Sequence, residues 1–197
     1  IGAGLLPAAW ATLMGAEAER WTDRAIDAST IFGDSVDALR DALLAAPCPD
    51  QRFAILSNFI DAAICCEDGA PFWFTRMVDA WLIATPDPQV DVLVAQTGLG
   101  MRQIERLTKR YYGLPPKTLA RKYRALRAAA ALARGEDIEG SAIGDCFYDQ
   151  SHLIREVKRF AGLTPHQIRG QQSHLQTEVS QGRKALEGKV GPLVSDA

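Results

Sequence analysis

The sequence predicts an all-α protein in which one helical unit occurs twice. A single helix links the copies, and a small helical region precedes them. Three observations carry this. Apolar residues recur at helical spacing through most of the 197 residues. A stretch of 14 residues returns without gaps at an offset of 49, as QIERLTKRYYGLPP (103–116) and HLIREVKRFAGLTP (152–165). Charge is divided along the chain. Residues 1–97 hold 5 Lys+Arg against 14 Asp+Glu, a balance of −9, and residues 98–170 hold 14 against 7, a balance of +7. Residues 171–197 are balanced, so the net charge of −2 hides an acidic front and a basic back.

The elements follow in order. Pro7 to Gly15 is a short apolar-periodic stretch around Trp10 and Leu13, and a second covers about 17–25. Asp34 to Ala45 offers Asp34 as an N-cap and Val36, Leu39 and Leu43 at helical spacing. Asp50 to Cys66 repeats the pattern with Phe53, Leu56, Phe59, Ile60 and Ile64. Phe72 to Ala84 carries Phe72, Trp73, Met77, Val78, Trp81 and Leu82, an aromatic face that reads as core rather than as a cofactor box. Ile1 to Leu6 reads as the end of a strand that has no partner in this chain. Thr85-Pro86-Asp87-Pro88 breaks the helical pattern, and Val90 to Thr97 starts the next helix.

Each copy of the repeat has two faces. Ile104, Leu107 and Tyr111 stack on one side of the first, with Arg102, Arg106 and Lys109 on the opposite stripe. In the second, Leu153, Val157 and Phe160 point inward, and Ser151, Arg155, Lys158 and Arg159 point outward. Gly113 and Gly162 stand where a helix C-terminus takes a left-handed residue. Pro116 and Pro165 suit the first turn of the helix that follows. Thr164 is a good N-cap for it, whereas Pro115 in the equivalent place is not. Val90 to Thr97, the Gly98-Leu99-Gly100 turn and the basic helix give a helix-turn-helix, whose second helix suits a major groove. Between the copies, Lys117 to Ala133 is Ala-rich with no breaker. At about 1.5 Å per residue it makes a linker of roughly 25 Å.

Composition excludes several classes. There is no run of about 18 apolar residues, so no membrane span is expected. With 16 Gly and 10 Pro the chain is neither collagenous nor of low complexity. Ile stands at position 1 and no basic n-region precedes an apolar run, so the chain reads as a fragment without a signal peptide. Cys48, Cys65, Cys66 and Cys146 fit no zinc spacing, and His152, His166 and His174 lie far from the first three. No metal and no cofactor are expected. Adjacent Cys65 and Cys66 read as small buried hydrophobes of a reducing cytoplasm rather than as a sensor.

The strings GLGMRQIERLTKRYYGLPPKTLARKYRALRAA and FYDQSHLIREVKRFAGLTPHQIR resemble the C-terminal domain of AraC/XylS-type bacterial transcriptional regulators over about 72–170. The resemblance implies two helix-turn-helix units on one protomer, reading two adjacent major-groove segments of double-stranded DNA. It assigns 1–68 to the helical end of a regulatory and dimerisation domain, 69–170 to the DNA-binding domain and 171–197 to a polar tail. By position, the base-reading candidates are Arg102, Glu105 and Arg106 in the first unit and Gln150, Ser151, His152 and Arg155 in the second. Arg suits guanine, Gln suits adenine, and Glu accepts from cytosine. Lys109, Arg110, Lys117, Arg121, Lys158 and Arg159 are placed for phosphates. Glu105 also reads as an intrahelical partner of Lys109. The implied function is a cytoplasmic, non-enzymatic regulator that recruits or occludes RNA polymerase, with an acidic front that serves dimerisation or communication. Its effector would be sensed by a preceding β-barrel outside this chain. Two other readings stand beside it. One is an alkyl-acceptor repair protein using Cys48, Cys65 or Cys66, and the other is a helical partner-binding module that has lost DNA binding. Cys146 stands where the family has Gly, and Ser141 where it has an apolar residue. Gly140 and Gly144 each cost a helix about 1 kcal/mol. The first helix of the second unit is therefore expected to be poorly formed.

Overall fold

The computed structural model describes residues 2–13, 17–64 and 72–170. Among them all regular structure is helical. The order is α1 (Pro7–Leu13), α2 (Ala18–Trp21), α3 (Ser29–Phe32), α4 (Ser35–Ala45), α5 (Pro49–Ala63), α6 (Phe72–Ala84), α7 (Val90–Thr97), α8 (Met101–Tyr112), α9 (Pro116–Ala133), α10 (Gln150–Ala161) and α11 (Pro165–Gly170). The two helices α6 and α7 span the residues that the sequence predicts, while α2 is shorter than expected. Residues 2–6 form no strand. A lone strand leaves its backbone polar groups unpaired, and nothing in the described chain pairs with this one. Ile1, Cys65 and Cys66 lie outside the described residues.

Asp34 does not cap α4. Its backbone is already helical (φ −65°, ψ −15°), and its carboxylate accepts no capping bond. Upstream, ahead of α3, Asp27 closes a local turn instead. Its Oδ1 accepts from the Ser29 N–H at 2.8 Å and the Ser29 hydroxyl at 2.5 Å. Those bonds hold the Asp27 carboxyl below the usual carboxylate range.

The chain divides into two compact units, 1–75 with 105–114 and 76–104 with 115–197, so that α6 and α8 contribute to both. In the first unit α4 packs on α3 and α5, and Phe32 meets Phe59 edge-on at 5.2 Å. Phe74 lies against Tyr111 of α8, and the Tyr112 hydroxyl donates to the Thr75 carbonyl at 2.9 Å. The end of α8 turns at Gly113, with φ +77°. The Thr22 hydroxyl donates to Ala18 O at 2.8 Å and lies 3.3 Å from Gly113 O. A Cβ on Gly113 would collide with Thr22 Oγ1 and sit 3.0 Å from Ala18 O.

In the second unit α9 is the centre, with α7, α10 and α11 packed on it. Ala128, Ala131 and Leu132 of α9 join Ile138, Phe147, Val157 and Ile168 in one apolar core. Three arginines leave α9 at successive turns. The Arg121 guanidinium donates from Nε and Nη2 to both carboxylate oxygens of Glu156 on α10, at 2.9 and 2.7 Å. Arg124 pairs with Asp87 at 2.8 Å and lies over the Phe147 ring. Arg127 donates to Leu82 O and Thr85 O, the free carbonyls at the end of α6.

Two expectations follow from these contacts. The Glu156 side chain is 6% exposed, and the Arg121 hydrogen bonds hold its carboxyl below the ordinary glutamate value of 4.5. Its pKa is lowered by folding, so the pair stabilises the native state fully above the unfolded value and progressively less as pH falls through the folded one. Glu156→Gln should lower stability by about 1–3 kcal/mol at pH 7. Thermal melts of both proteins from pH 7 to 3 should converge at the acid end. Separately, Gly162 has the same φ of +77° as Gly113 but open space around it. Gly162→Ala should cost about 1–2 kcal/mol from backbone strain alone, and Gly113→Ala distinctly more. Equal losses on chemical denaturation would contradict the Thr22 contact.

Candidate nucleic-acid interface

The outward face of α8 is set by what its inward face buries. Ile104 and Thr108 are fully buried and Tyr111 nearly so. The face left outside carries Arg102, Glu105, Arg106 and Arg110, all exposed. Gly98 ends α7 in the left-handed conformation (φ +66°), its N–H donating to Val94 O at 3.0 Å. Gly100 then starts α8 without a side chain to cap it. Gln103 makes the other half of a cap by reaching back, with Oε1 accepting from the Gly100 N–H at 3.2 Å.

At the offset of 49, the second copy solves the same problem in the opposite direction. Asp149 replaces Gly100, and its Oδ1 accepts from the His152 N–H at 2.6 Å. This start presents Gln150, Ser151, Arg155, Lys158 and Arg159 to solvent, with Val157 buried behind them. The repeat extends to a ring contact, since Arg110 lies over Tyr111 and Arg159 over Phe160 in equivalent positions.

Ahead of α10 the expected first helix of the second unit is reduced to a 3-10 turn at Gly144–Cys146. The two glycines are not flaws in a helix. Gly140 adopts φ +67°, and a Cβ on Gly144 would strike the Ile138 carbonyl. The Ser141 hydroxyl donates to that carbonyl at 2.7 Å and accepts from the Gly144 N–H at 3.2 Å. Glycines at these two positions and a hydroxyl at 141 are what this turn requires. Cys146 packs against the apolar core, donates to Ala142 O at 3.0 Å, and has its thiol pKa pushed up by burial. A thiol held protonated is a poor nucleophile.

Three of the sequence-predicted contacts stand differently in the structure. Arg121 is partly exposed, but its Nε and Nη2 are both engaged by Glu156. Lys109 pairs with Glu19 at 3.5 Å rather than with Glu105 one turn away. His152 is half-buried. Its Nδ1 accepts from the Tyr148 N–H at 3.2 Å, and its ring meets Phe147 edge-on at 5.7 Å, so the imidazole braces the turn. Arg110, Lys117, Lys158 and Arg159 remain exposed. Sequence reasoning missed Glu156, Arg124 and Arg127 as structural groups. A signal was present for Glu156, which occupies the place that apolar Leu107 takes in the first copy. Among the described residues no group of three or more His, Cys, Asp or Glu is placed to hold a metal, and no helix is long and apolar enough to cross a membrane.

Residues 93–171 match the family described as a helix-turn-helix domain. Over 83 residues the chain is 42% identical to the F1 operon positive regulatory protein of Yersinia pestis. That match covers 41% of this chain and 27% of the relative, so the chain spans about a quarter of the protein it resembles. No solved structure matches.

The turn before α10 has few internal backbone bonds, whereas α7 is a closed helix. Amides of residues 139–145 should therefore exchange with solvent faster than those at the C-terminal end of α7. Native-state hydrogen exchange resolved by residue will test this, and equal protection would contradict it.

Proposed function

We propose, from the premise that residues 93–171 are an AraC/XylS-type helix-turn-helix domain, that this chain is the DNA-binding part of a sequence-specific transcriptional regulator. The observation that carries it is the pair of repeat-related basic helices, α8 and α10, each with its apolar side buried and a row of polar readers outside. In this reading Arg102, Glu105 and Arg106 contact base edges from α8, and Gln150, Ser151 and Arg155 from α10. His152 serves mainly to brace its turn. Arg110, Lys117, Lys158 and Arg159 contact phosphates, which position the protein without specifying sequence.

The wider role is part of the same proposal. The relative is named a positive regulator, which supports activation through RNA polymerase. The acidic front, 1–68, would serve dimerisation or communication with a regulatory domain. The protein would act in the bacterial cytoplasm and not as an enzyme. Neither the alkyl-acceptor reading nor the partner-binding reading is favoured, and the half-buried Cys146, with its thiol pKa raised, adds nothing to the former.

Mobility shifts on genomic fragments, with and without competitor DNA, test the reading. Arg106→Ala and Arg155→Ala should each weaken specific binding by about 1–3 kcal/mol and relax preference at the bases they contact. Equal loss on specific and random DNA would make both of them phosphate contacts. With four exposed phosphate ligands, log K should fall with log salt at about −0.9 per contact, a slope of about −4.

A further inference from the structure

The Arg121–Glu156 fork is used by nothing in the DNA reading above, although it sits beside that reading's most important residue. Glu156 follows Arg155 on α10 and points the other way, into the protein. Its carboxylate is buried, and both oxygens are taken by one guanidinium on α9. Arg124 also bears on it and favours its charge. Beside the fork, Val157 of α10 shares an apolar core with Ala128 and Leu132 of α9. Burial of the apolar stripe decides which face of α10 turns inward, but apolar contact is non-directional and does not sharply fix the helix's rotation about its own axis. The Asp149 cap fixes where α10 begins, again without fixing that rotation. A two-bond fork between planar groups has one preferred geometry.

We propose that the Arg121–Glu156 fork fixes the rotation of α10 on α9, so that both are positioning residues through which Arg155 is aimed at its base. This rests on the DNA-binding reading and assigns to it a specificity element that does not touch DNA. Buried ion pairs are often no better for stability than well-packed apolar side chains, and specificity is the best-attested reason to keep one. The first copy agrees, since it has apolar Leu107 at the equivalent place.

The test compares the chain with Arg121→Met/Glu156→Leu, which removes both charges and keeps the packing. Arg121→Lys serves as a second variant, keeping the charge and losing the fork. Each is titrated against a bound genomic fragment and its single-base substitutions, with a thermal melt alongside. Bases read by Arg155 are those whose substitution stops mattering in Arg155→Ala. In the unaltered chain each such substitution should weaken binding by about five- to hundredfold. The proposal expects that penalty to fall severalfold in both variants. Penalties at bases read by Arg106 should persist, and the double variant should melt no lower than the unaltered chain. Unchanged penalties at the Arg155 bases overturn the proposal. So does an even loss at both sets of bases, which would make the pair merely structural. If the double variant fails to fold, the Arg121→Lys result decides alone. Sequence-independent binding by the unaltered chain overturns the DNA-reading function itself, and the proposal with it.

Discussion

Arg121, Arg124 and Arg127 stand at successive turns of α9, and each ends on a different segment of the second unit. One grips α10, one holds Asp87 ahead of α7 and covers Phe147, and one closes the carbonyl end of α6. A helix C-terminus presents unpaired carbonyls and a partial negative charge, so a guanidinium there satisfies both. On the same helix, Ala125, Ala128 and Ala131 are fully buried. The small side chains let neighbouring backbones approach closely, and the long ones reach past them to polar groups at the rim. The linker of the sequence reading is thus the hub of its unit, and Arg121, Arg124 and Arg127 spend their donors on groups of the protein itself.

The two copies of the repeat show how much one motif can vary while keeping its shape. Three helix starts, at α8, α10 and α11, display the halves of one device. Gln103 reaches back to Gly100, Asp149 reaches forward to His152, and Thr164 and Gln167 do both, with the Thr164 N–H donating to Gln167 Oε1 at 2.9 Å and the Gln167 N–H donating to Thr164 Oγ1 at 3.3 Å. The C-terminal glycines differ in the same way, one covered by Thr22 and the other bare.

Much of this was legible in the sequence because it is local. The helical faces, the left-handed glycines, the Thr164 cap and the bounds of α6 and α7 follow from spacing and punctuation within a few residues. The weakness of the second unit's first helix was readable too, from Gly140 and Gly144, although its cause was not. These glycines fit a turn that folds back on the Ile138 carbonyl, a contact that no helical pattern announces. What escaped the sequence is mostly non-local. Arg121 and Glu156 are 35 positions apart, and Arg127 and Leu82 are 45. A basic residue on a basic stretch reads as a DNA ligand until its partner is seen. Asp34 failed for the opposite reason, since its residue type suits a cap but its backbone is already helical.

The arginine ladder gives α9 a phase as well as a length. A helix advances 3.6 residues per turn, so one residue inserted between Arg121 and Arg124 rotates everything beyond it by about 100° and shifts it by about 1.5 Å. Glu156 and Asp87 could not then both be met from one helix. An insertion of about a full turn comes closer to restoring the facing, but it displaces the two grips by about 5 Å along the axis. Length variation tolerated by ordinary linkers is therefore closed to this one. Evolutionary drift in spacing between the two basic helices has to be taken up in the glycine-rich turn after α9, where no such ladder keeps count.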